Sequence, residues 1–376
     1  MYIPQEDSYL LEESVKKYGF GKVLDVGTGS GIQGIAASKK KNVNSVLAVD
    51  ISERDLLEAK KNAELNKVKI KFAKSNLFNN IKGSFDTIIF NPPYLPLAKG
   101  ESKDEGRALS GGKKGYELLV KFLSEANEYL AKDGIILILF SSLTHKAVVD
   151  EAIEDYGFES TQLAKKRISF ENLFVYKLQK NWVLKEVYKK VKNIKKLAKG
   201  HRGLIYTGSM NNKKVTIKAQ RKDIDAKETV NRESKWLKIL NKKGIGPKLI
   251  SSGDNYFIYE YVSGIFIKEY LETKKNVNPV LVKILKKCFI LDNLGINKEE
   301  MTNPYKHIII NKKITLLDFE RASYTEKPQN VTQFCQYILK YTKLSRKKMI
   351  ELTRGYRKNM SEANFNRIVN FVSKQQ

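Results

Sequence analysis

The chain has 376 residues, 41% of them hydrophobic and 10% aromatic, which excludes a mainly disordered protein and leaves room for two cores. Its 69 Lys+Arg against 41 Asp+Glu leave +28, and the excess is uneven: residues 1–180 carry 27 against 24, residues 181–376 carry 42 against 17. The longest strongly apolar run, Ile135 to Phe140, is far too short for a bilayer, and Glu6 and Asp7 precede any basic residue. Cys288 and Cys335 are too few and too far apart for a disulfide framework or a cysteine zinc site, so a soluble, cytoplasmic protein without membrane contact is expected. The basic second half suits a polyanion such as RNA or the ribosome. A Lys, Ile, Asn and Tyr bias through the whole chain accounts for the charge equally well.

After an acidic lead-in, Lys22–Val26 reads as a strand that turns through glycines into a helix. Asn44–Asp50 is a second strand, residues 52–67 a helix, Lys69–Ala73 a third strand and Phe85–Phe90 a fourth. Gly115–Leu130 places Leu119, Phe122, Leu123 and Ala126 on one helical face, and Ile135–Phe140 lacks alternation, as a strand buried on both faces does. This alternation of strand and helix predicts a mostly parallel, doubly wound α/β sheet of Rossmann-like type.

Gly27, Gly29 and Gly31 lie where a strand opens into a helix, a place where backbone approaches a ligand closely. Asp50 ends the next strand, 19 residues beyond Gly31, and an acidic group there can accept both hydroxyls of a ribose. That spacing fits a nucleoside-containing cofactor, either a dinucleotide or S-adenosylmethionine. Asn91-Pro92-Pro93-Tyr94 separates the two. It ends the fourth strand, where open α/β sheets bind ligands, and its prolines stiffen the turn. The Asn91 side-chain oxygen and the Pro92 carbonyl can both accept from one planar NH2 group, drawing its lone pair toward a methyl sulfonium. Tyr94 offers a flat face to a planar target. These four residues are the expected catalytic set.

In the order PQEDSYLL, VLDVGTGSG, LAVD, SNLF, NPPYLP, ALSGGKKGYE and KKRISFENLFVYKL, residues 1 to about 178 resemble the HemK/PrmC class of protein-glutamine methyltransferases, most closely its archaeal and eukaryotic branch. The resemblance implies a class I fold, with S-adenosylmethionine contacted by Ser8, Asp25, Gly27, Gly29, Gly31, Asp50, Asn76, Leu77 and Asn91. It implies methyl transfer to the glutamine of the GGQ motif of a class I peptide chain release factor, and a small zinc-binding activator protein as partner. Asn76 stands where the family usually carries Asp, which weakens the expected hold on the adenine amino group. Enzymes that methylate exocyclic amines of adenine or guanine in RNA or DNA also carry NPPY, and they are the alternative.

Trp182–Lys199 places Leu184, Val187, Val191, Ile194 and Ala198 on one helical face, so residues 181–199 are expected to form a basic helical linker between domains at 1–180 and 200–376. Beyond it, Gly200 and Gly203 mark a hairpin, Lys218 lies in a strand, Glu233 on a helix, and Asp318 follows an apolar run. A glycine turn, a strand lysine, a helical glutamate and a late aspartate are the parts of a phosphoryl-transfer site. Roughly residues 195–340 resemble small RIO-like archaeal protein kinases, which implies an α+β domain binding ATP and Mg, with Asp318 on the metal. Glu300 stands in for the catalytic-loop aspartate, Lys298 for its histidine, and His307 for the metal-binding asparagine.

Overall fold

The computed structural model describes residues 4–96, 110–200, 203–221 and 229–374. Ala108 and Leu109 of the ALSGGKKGYE segment, and His201 and Arg202 of the glycine hairpin, lie outside them. The chain divides into two compact units, Met1–Leu197 with Tyr206–Asn212, and Ala198–Ile205 with Lys213–Gln376.

The first unit begins with α1 (Glu6–Tyr18), in place of the expected acidic lead-in. Glu6 and Asp7 lie in its first turn and Lys16 and Lys17 in its last, so charge complements the helix dipole at both ends. The alternating elements follow as β1 (Gly21–Val26), α2 (Ile32–Ser38), β2 (Val43–Asp50), α3 (Glu53–Leu65), β3 (Lys71–Lys74) and β4 (Phe85–Phe90). Then come β5 (Leu95–Pro96), β6 (Ser110–Gly112), α4 (Glu117–Tyr129), β7 (Leu130–Ser141), α5 (Lys146–Asp155), β8 (Phe158–Ile168) and β9 (Glu171–Lys180).

A seven-stranded sheet has the order β3-β2-β1-β4-β7-β9-β8. The first five strands are parallel, which bears out the Rossmann-like expectation, and β9 runs antiparallel both to β7 and to the edge strand β8. Period-two alternation sorts the core: Ile88 and Phe90 pack on one face with α4 and α5, Ile89 on the other with α1 and α2. Because the strands are parallel, the C-terminal ends of β1, β2 and β4 open on one edge, and every candidate methyl-transfer residue lies at or beside that edge.

The expected helical linker is a helix only at its start, and its last eight residues are a strand. Asn181 caps a short helix, α6 (Trp182–Glu186), its Oδ1 accepting from the Leu184 N–H. Lys189, ahead of β10 (Lys192–Lys199), and Asn193, within it, adopt left-handed φ of 61° and 50°, which a regular right-handed helix cannot contain. Gly208, in β11 (Gly203–Met210), explains the difference. A Cβ there would run into Val191 and the Lys192 carbonyl, so the glycine admits the close approach of the chain at the start of β10.

The second unit contains β12 (Lys213–Gln220), α7 (Thr229–Leu240), β13 (Leu249–Ser252) and β14 (Tyr256–Glu260), with β14 antiparallel to both other strands. In its register Lys218 faces Phe257. Helices α8 (Ile267–Thr273) and α9 (Asn278–Asn293) come next, then an antiparallel hairpin of Ile308–Ile310 with Ile314–Leu316, and helices over Asn330–Ile338, Arg346–Lys358 and Glu362–Ser373. One continuous apolar core runs from Val230 to Val372. No helix among the described residues is long and apolar enough to cross a membrane.

Candidate active site

The glycine bend is built by backbone geometry and two buried carboxylates. Gly27, Gly29 and Gly31 have φ of 62°, 53° and 86°, values an L side chain adopts only with strain. At Gly29 a Cβ would meet nothing within 4 Å, so the bend presents open space in front of its backbone. Gly31 acts differently. A Cβ on it would press on Ala59 at 3.1 Å, so its small size serves the approach of α3. Asp50 accepts from the Gly29 N–H at 3.0 Å through one oxygen and from the Ser52 N–H at 2.9 Å through the other. The carboxylate is thereby held beside the bend, with lone pairs to spare.

Asp25 turns inward. Its Oδ2 accepts from Thr28 Oγ1 at 2.6 Å and from the Gly34 N–H at 3.0 Å, and only 1% of the residue is exposed. Burial pushes its carboxyl up to about 7, against the lowering effect of Thr28 and Gly34. A raised folded-state value means the native state holds the proton more tightly than the unfolded chain does. Its contribution to stability is therefore complete below the ordinary value of 3.8 and is lost as pH rises toward about 7, at ~1.4 kcal/mol per pKa unit. Thermal melts of wild type and Asp25→Asn from pH 4 to 8 should show the variant gaining on wild type as pH rises. A difference independent of pH refutes this assignment.

Ser75 donates its N–H to the Asp50 carbonyl at 2.9 Å and its hydroxyl to the Leu77 carbonyl, which fixes Leu77 at a left-handed φ of 49° and leaves Asn76 exposed beyond β3. Ser8 lies buried on α1, its carbonyl accepting from Gln33 Nε2 of α2 at 2.8 Å.

Asn91 follows directly on β4. Its Nδ2 donates to Asp7 Oδ2 of α1 at 3.0 Å, while its Oδ1 is buried with no hydrogen-bond partner among the described residues. Asp7 thus fixes which way the amide faces and leaves the acceptor end unused. Leaving a buried acceptor unmet costs on the order of 1–3 kcal/mol, so a donor delivered by a ligand is favoured here. Pro92 is buried, and Pro93 and Tyr94 are half-buried. Gly111, in β6, braces the turn: a Cβ there would collide with the Gly115 and Pro93 carbonyl oxygens. Gly111→Ala should therefore shift the turn, lowering the turnover number about tenfold while cofactor affinity stays near wild type, since misplacement of about 1 Å already costs that much or more. Unchanged turnover in a folded variant contradicts the bracing role.

Residues 5–171 match the methyltransferase small-domain family. A putative protein N5-glutamine methyltransferase of Methanocaldococcus jannaschii is 40% identical over 46% of this chain and 89% of its own length. The chain belongs to the HemK/PrmC-like protein-glutamine methyltransferases. A release factor glutamine methyltransferase of Borreliella burgdorferi is 35% identical over 40% of this chain and 57% of its own length, so the chain spans just over half of that bacterial relative. The solved structure of the E. cuniculi Mtq2–Trm112 complex aligns at 24% identity over 48% of this chain and 98% of that chain, with a TM-score of 0.39. For this protein-glutamine methyltransferase the relatives support S-adenosylmethionine as cofactor and a class I fold in the first unit.

Asp7 is the residue of the candidate site that sequence reasoning missed. It lies within PQEDSYLL, a segment that carries the family resemblance, but its contact with Asn91 joins residues 84 apart and no local pattern announces it.

The second unit gathers its own charged cluster. Lys218 Nζ lies 2.5 Å from Glu233 Oε2, 3.2 Å from Asp318 Oδ1 and 4.0 Å from Glu320 Oε2. Burial works against the ammonium, but these three carboxylates outweigh it and hold Lys218 charged well above the ordinary lysine range. Glu233 Oε1 also accepts from the Phe319 N–H, so one glutamate orients both the lysine and the chain after Asp318. Asp318 has a left-handed φ of 63°. Burial raises its carboxyl, yet Lys218 and Lys298 together hold it below the usual range. Lys298 is fully buried, and its Nζ donates to the Asp318 carbonyl at 2.7 Å. Burial, reinforced by Lys298, lowers His307 to about 4, so its ring is neutral near pH 7. Lys218, Glu233, Glu300, His307 and Asp318, expected to act together, are brought together. Of the expected hairpin the described residues show the Gly200 N–H donating to the Gly203 carbonyl at 2.9 Å. A Cβ on Gly203 would come within 3.6 Å of Lys218 Cε, so the backbone of Gly203 lies beside the lysine.

Sequence reasoning also missed the brace behind this cluster. Asn330 Oδ1 accepts from the Lys298 N–H at 2.8 Å, and its Nδ2 donates to buried Asp292 at 2.7 Å. Tyr356 donates its hydroxyl to the other Asp292 oxygen at 3.0 Å.

Proposed function

We propose that the first unit methylates the side-chain amide nitrogen of the GGQ glutamine in a class I peptide chain release factor, with S-adenosylmethionine as donor. The observation that carries this reading is the Asn91 amide, anchored by Asp7 at its nitrogen and unmatched at its buried oxygen. When bound, S-adenosylmethionine supplies an electrophilic methyl group. The open front of the Gly27–Gly29 bend admits its backbone-facing part, Asp50 accepts from its ribose hydroxyls, and the segment at Asn76 and Leu77 borders its base. Asn91 Oδ1 and the Pro92 carbonyl accept the two hydrogens of the glutamine NH2, so the nitrogen lone pair is aimed and cannot rotate away. Tyr94 covers the amide plane. No side chain is needed to remove a proton first, because the nitrogen loses it after gaining the methyl group. The proposal keeps a small activator protein as partner, so the chain is assayed alone and with that subunit.

The reading is tested by incubating the full chain with methyl-labelled S-adenosylmethionine and either release factor, release factor lacking the GGQ glutamine, or bulk RNA. Label is expected in the first alone. Label in RNA with none in release factor overturns the substrate assignment and favours an exocyclic base amine.

The second unit, in the same proposal, is a kinase-like module that binds ATP with a divalent cation. Lys218, charged and aligned by Glu233, neutralises α and β phosphates, and Asp318 holds the metal. Its net positive charge further suits RNA or the ribosome as a docking partner. Binding of a fluorescent ATP analogue to the full chain, displaced by ATP, is the expected result, and its absence rules out the nucleotide reading.

A further inference from the structure

We propose that Glu300, His307 and Asp318 form a three-ligand cation site that selects a divalent transition ion, with Mn2+ as the probe, over Mg2+, and that Glu300 serves there as a metal ligand rather than as a proton acceptor. The inference deepens the nucleotide-binding reading of the second unit and rests on it for its place in phosphate chemistry.

The placement comes from the backbone. His307 immediately precedes Ile308–Ile310, and Asp318 follows Ile314–Leu316, the two strands of one hairpin. The Leu317 N–H donates to the His307 carbonyl at 2.7 Å, which holds the open end of that hairpin closed and sets the two side chains next to each other. Glu300 lies on the short turn Glu300–Thr302, after Lys298, whose buried ammonium is tied to the Asp318 carbonyl. One ligand atom from each of Glu300, His307 and Asp318 then lies within 4.8 Å of the others, the spacing that a shared cation requires.

Within this trio Asp318 Oδ1 accepts from Lys218 Nζ at 3.2 Å, and His307 Nδ1 is the atom that no protein group satisfies among the described residues. Glu300 Oε2 stands 2.6 Å from His307 Nδ1, yet Nδ1 is buried and makes no hydrogen bond among the described residues. A ring nitrogen and a carboxylate oxygen this close, without the angle of a hydrogen bond, are two electron-rich atoms facing one another, an arrangement a cation stabilises. Glu233, Asp318 and Glu320 form a second possible trio, but Lys218 already supplies its positive charge at 2.5, 3.2 and 4.0 Å. Glu300 has a weaker counter-charge in Arg321, which is half-exposed and stands 3.5 Å from its other oxygen. Lys298 reaches the backbone of Asp318 and leaves its carboxylate to other partners.

The donor set decides the ion. Mg2+ prefers an all-oxygen octahedron and gives up its waters reluctantly, whereas imidazole suits first-row transition ions. Two carboxylates and one imidazole therefore favour Mn2+ or Zn2+. With Glu300 engaged in this way, its carboxylate is not free to take a proton from a hydroxyl group.

The experiment uses the full chain freed of metal by chelation. Free Mn2+ is followed by electron paramagnetic resonance, with Mg2+ and Zn2+ as competitors, with and without a non-hydrolysable ATP analogue. Mn2+ is expected to bind at least about tenfold more tightly than Mg2+, Glu300→Gln to weaken both ions, and His307→Asn to reduce the preference to within about threefold. Circular dichroism melts confirm that each variant is folded. Equal competition by Mg2+ in the wild type, or an unchanged preference in folded His307→Asn, overturns the inference. Mn2+ binding that depends on His307 while the analogue fails to bind supports the cation site and refutes the nucleotide reading instead. Analogue binding with no Mn2+ bound refutes the cation site alone.

Discussion

Asn91→Ala is expected to reduce methyl transfer by about 100- to 1,000-fold, or about 3–4 kcal/mol in the barrier, the usual loss when one aligned polar partner of the reacting group is removed. The reason lies in how the amide is held. Asp7 accepts from its nitrogen, so the oxygen is already oriented before substrate arrives, and no hydrogen bond within the described residues is lost with that oxygen. The bond from Asn91 Nδ2 to buried Asp7 is lost as well, at a stability cost of about 1–3 kcal/mol, so methyl transfer is compared below the melting transition, where the loss should appear in turnover more than in the Michaelis constant of the release factor. Label incorporation over a substrate series measures it, with calorimetric cofactor binding as a control. Turnover within twofold of wild type would show that the corner plays no part in the chemistry. Asp7→Ala keeps the corner and removes its orientation, so a smaller fall, about tenfold, is expected from it.

Lys218→Ala should have the largest effect on stability. Glu233 is 3% exposed, and the ammonium is the charge that compensates it, so removing Lys218 leaves a carboxylate buried beside Asp318 and Glu320. Breaking such a pair by deleting one partner costs about 3–5 kcal/mol. Differential scanning calorimetry of the full chain should show the transition of the second unit falling, and the ATP analogue should no longer bind. Lys218→Ala with Glu233→Gln removes the uncompensated charge, so the double variant should melt above the single one while nucleotide binding stays lost. A single variant that melts with wild type would mean that the lysine and glutamate are not coupled.

The methyl-transfer edge is legible in the sequence because its parts are local. Gly27, Gly29, Asp50 and Asn91 each sit where a short apolar run stops, and strand ends can be read from composition and periodicity. The same holds for Lys218 within its strand and Glu233 within its helix, since each element shows its own period. What fails to show is non-local or depends on strand direction. The segment that forms α1 reads as a lead-in, although Leu11 and Val15 are fully buried in it. The antiparallel return of β9 beside β7 leaves no mark in either strand's own residues. Lys192–Lys199 has a helix-like apolar spacing, and the left-handed Lys189 and Asn193 together with Gly208 override it.

The amino-acid order alone determined the Rossmann-like alternation, the glycine bend, the asparagine–proline corner and the membership of a glutamine-modifying lineage. Folding in three dimensions decided that Asp7 aims Asn91, that Gly31 serves helix packing, and that Glu300 stands against His307. The reason is one of range. Turn chemistry and periodicity act over a few neighbouring residues, whereas the orientation of a buried polar group is set by whichever distant partner the packed core brings within about 3 Å of it.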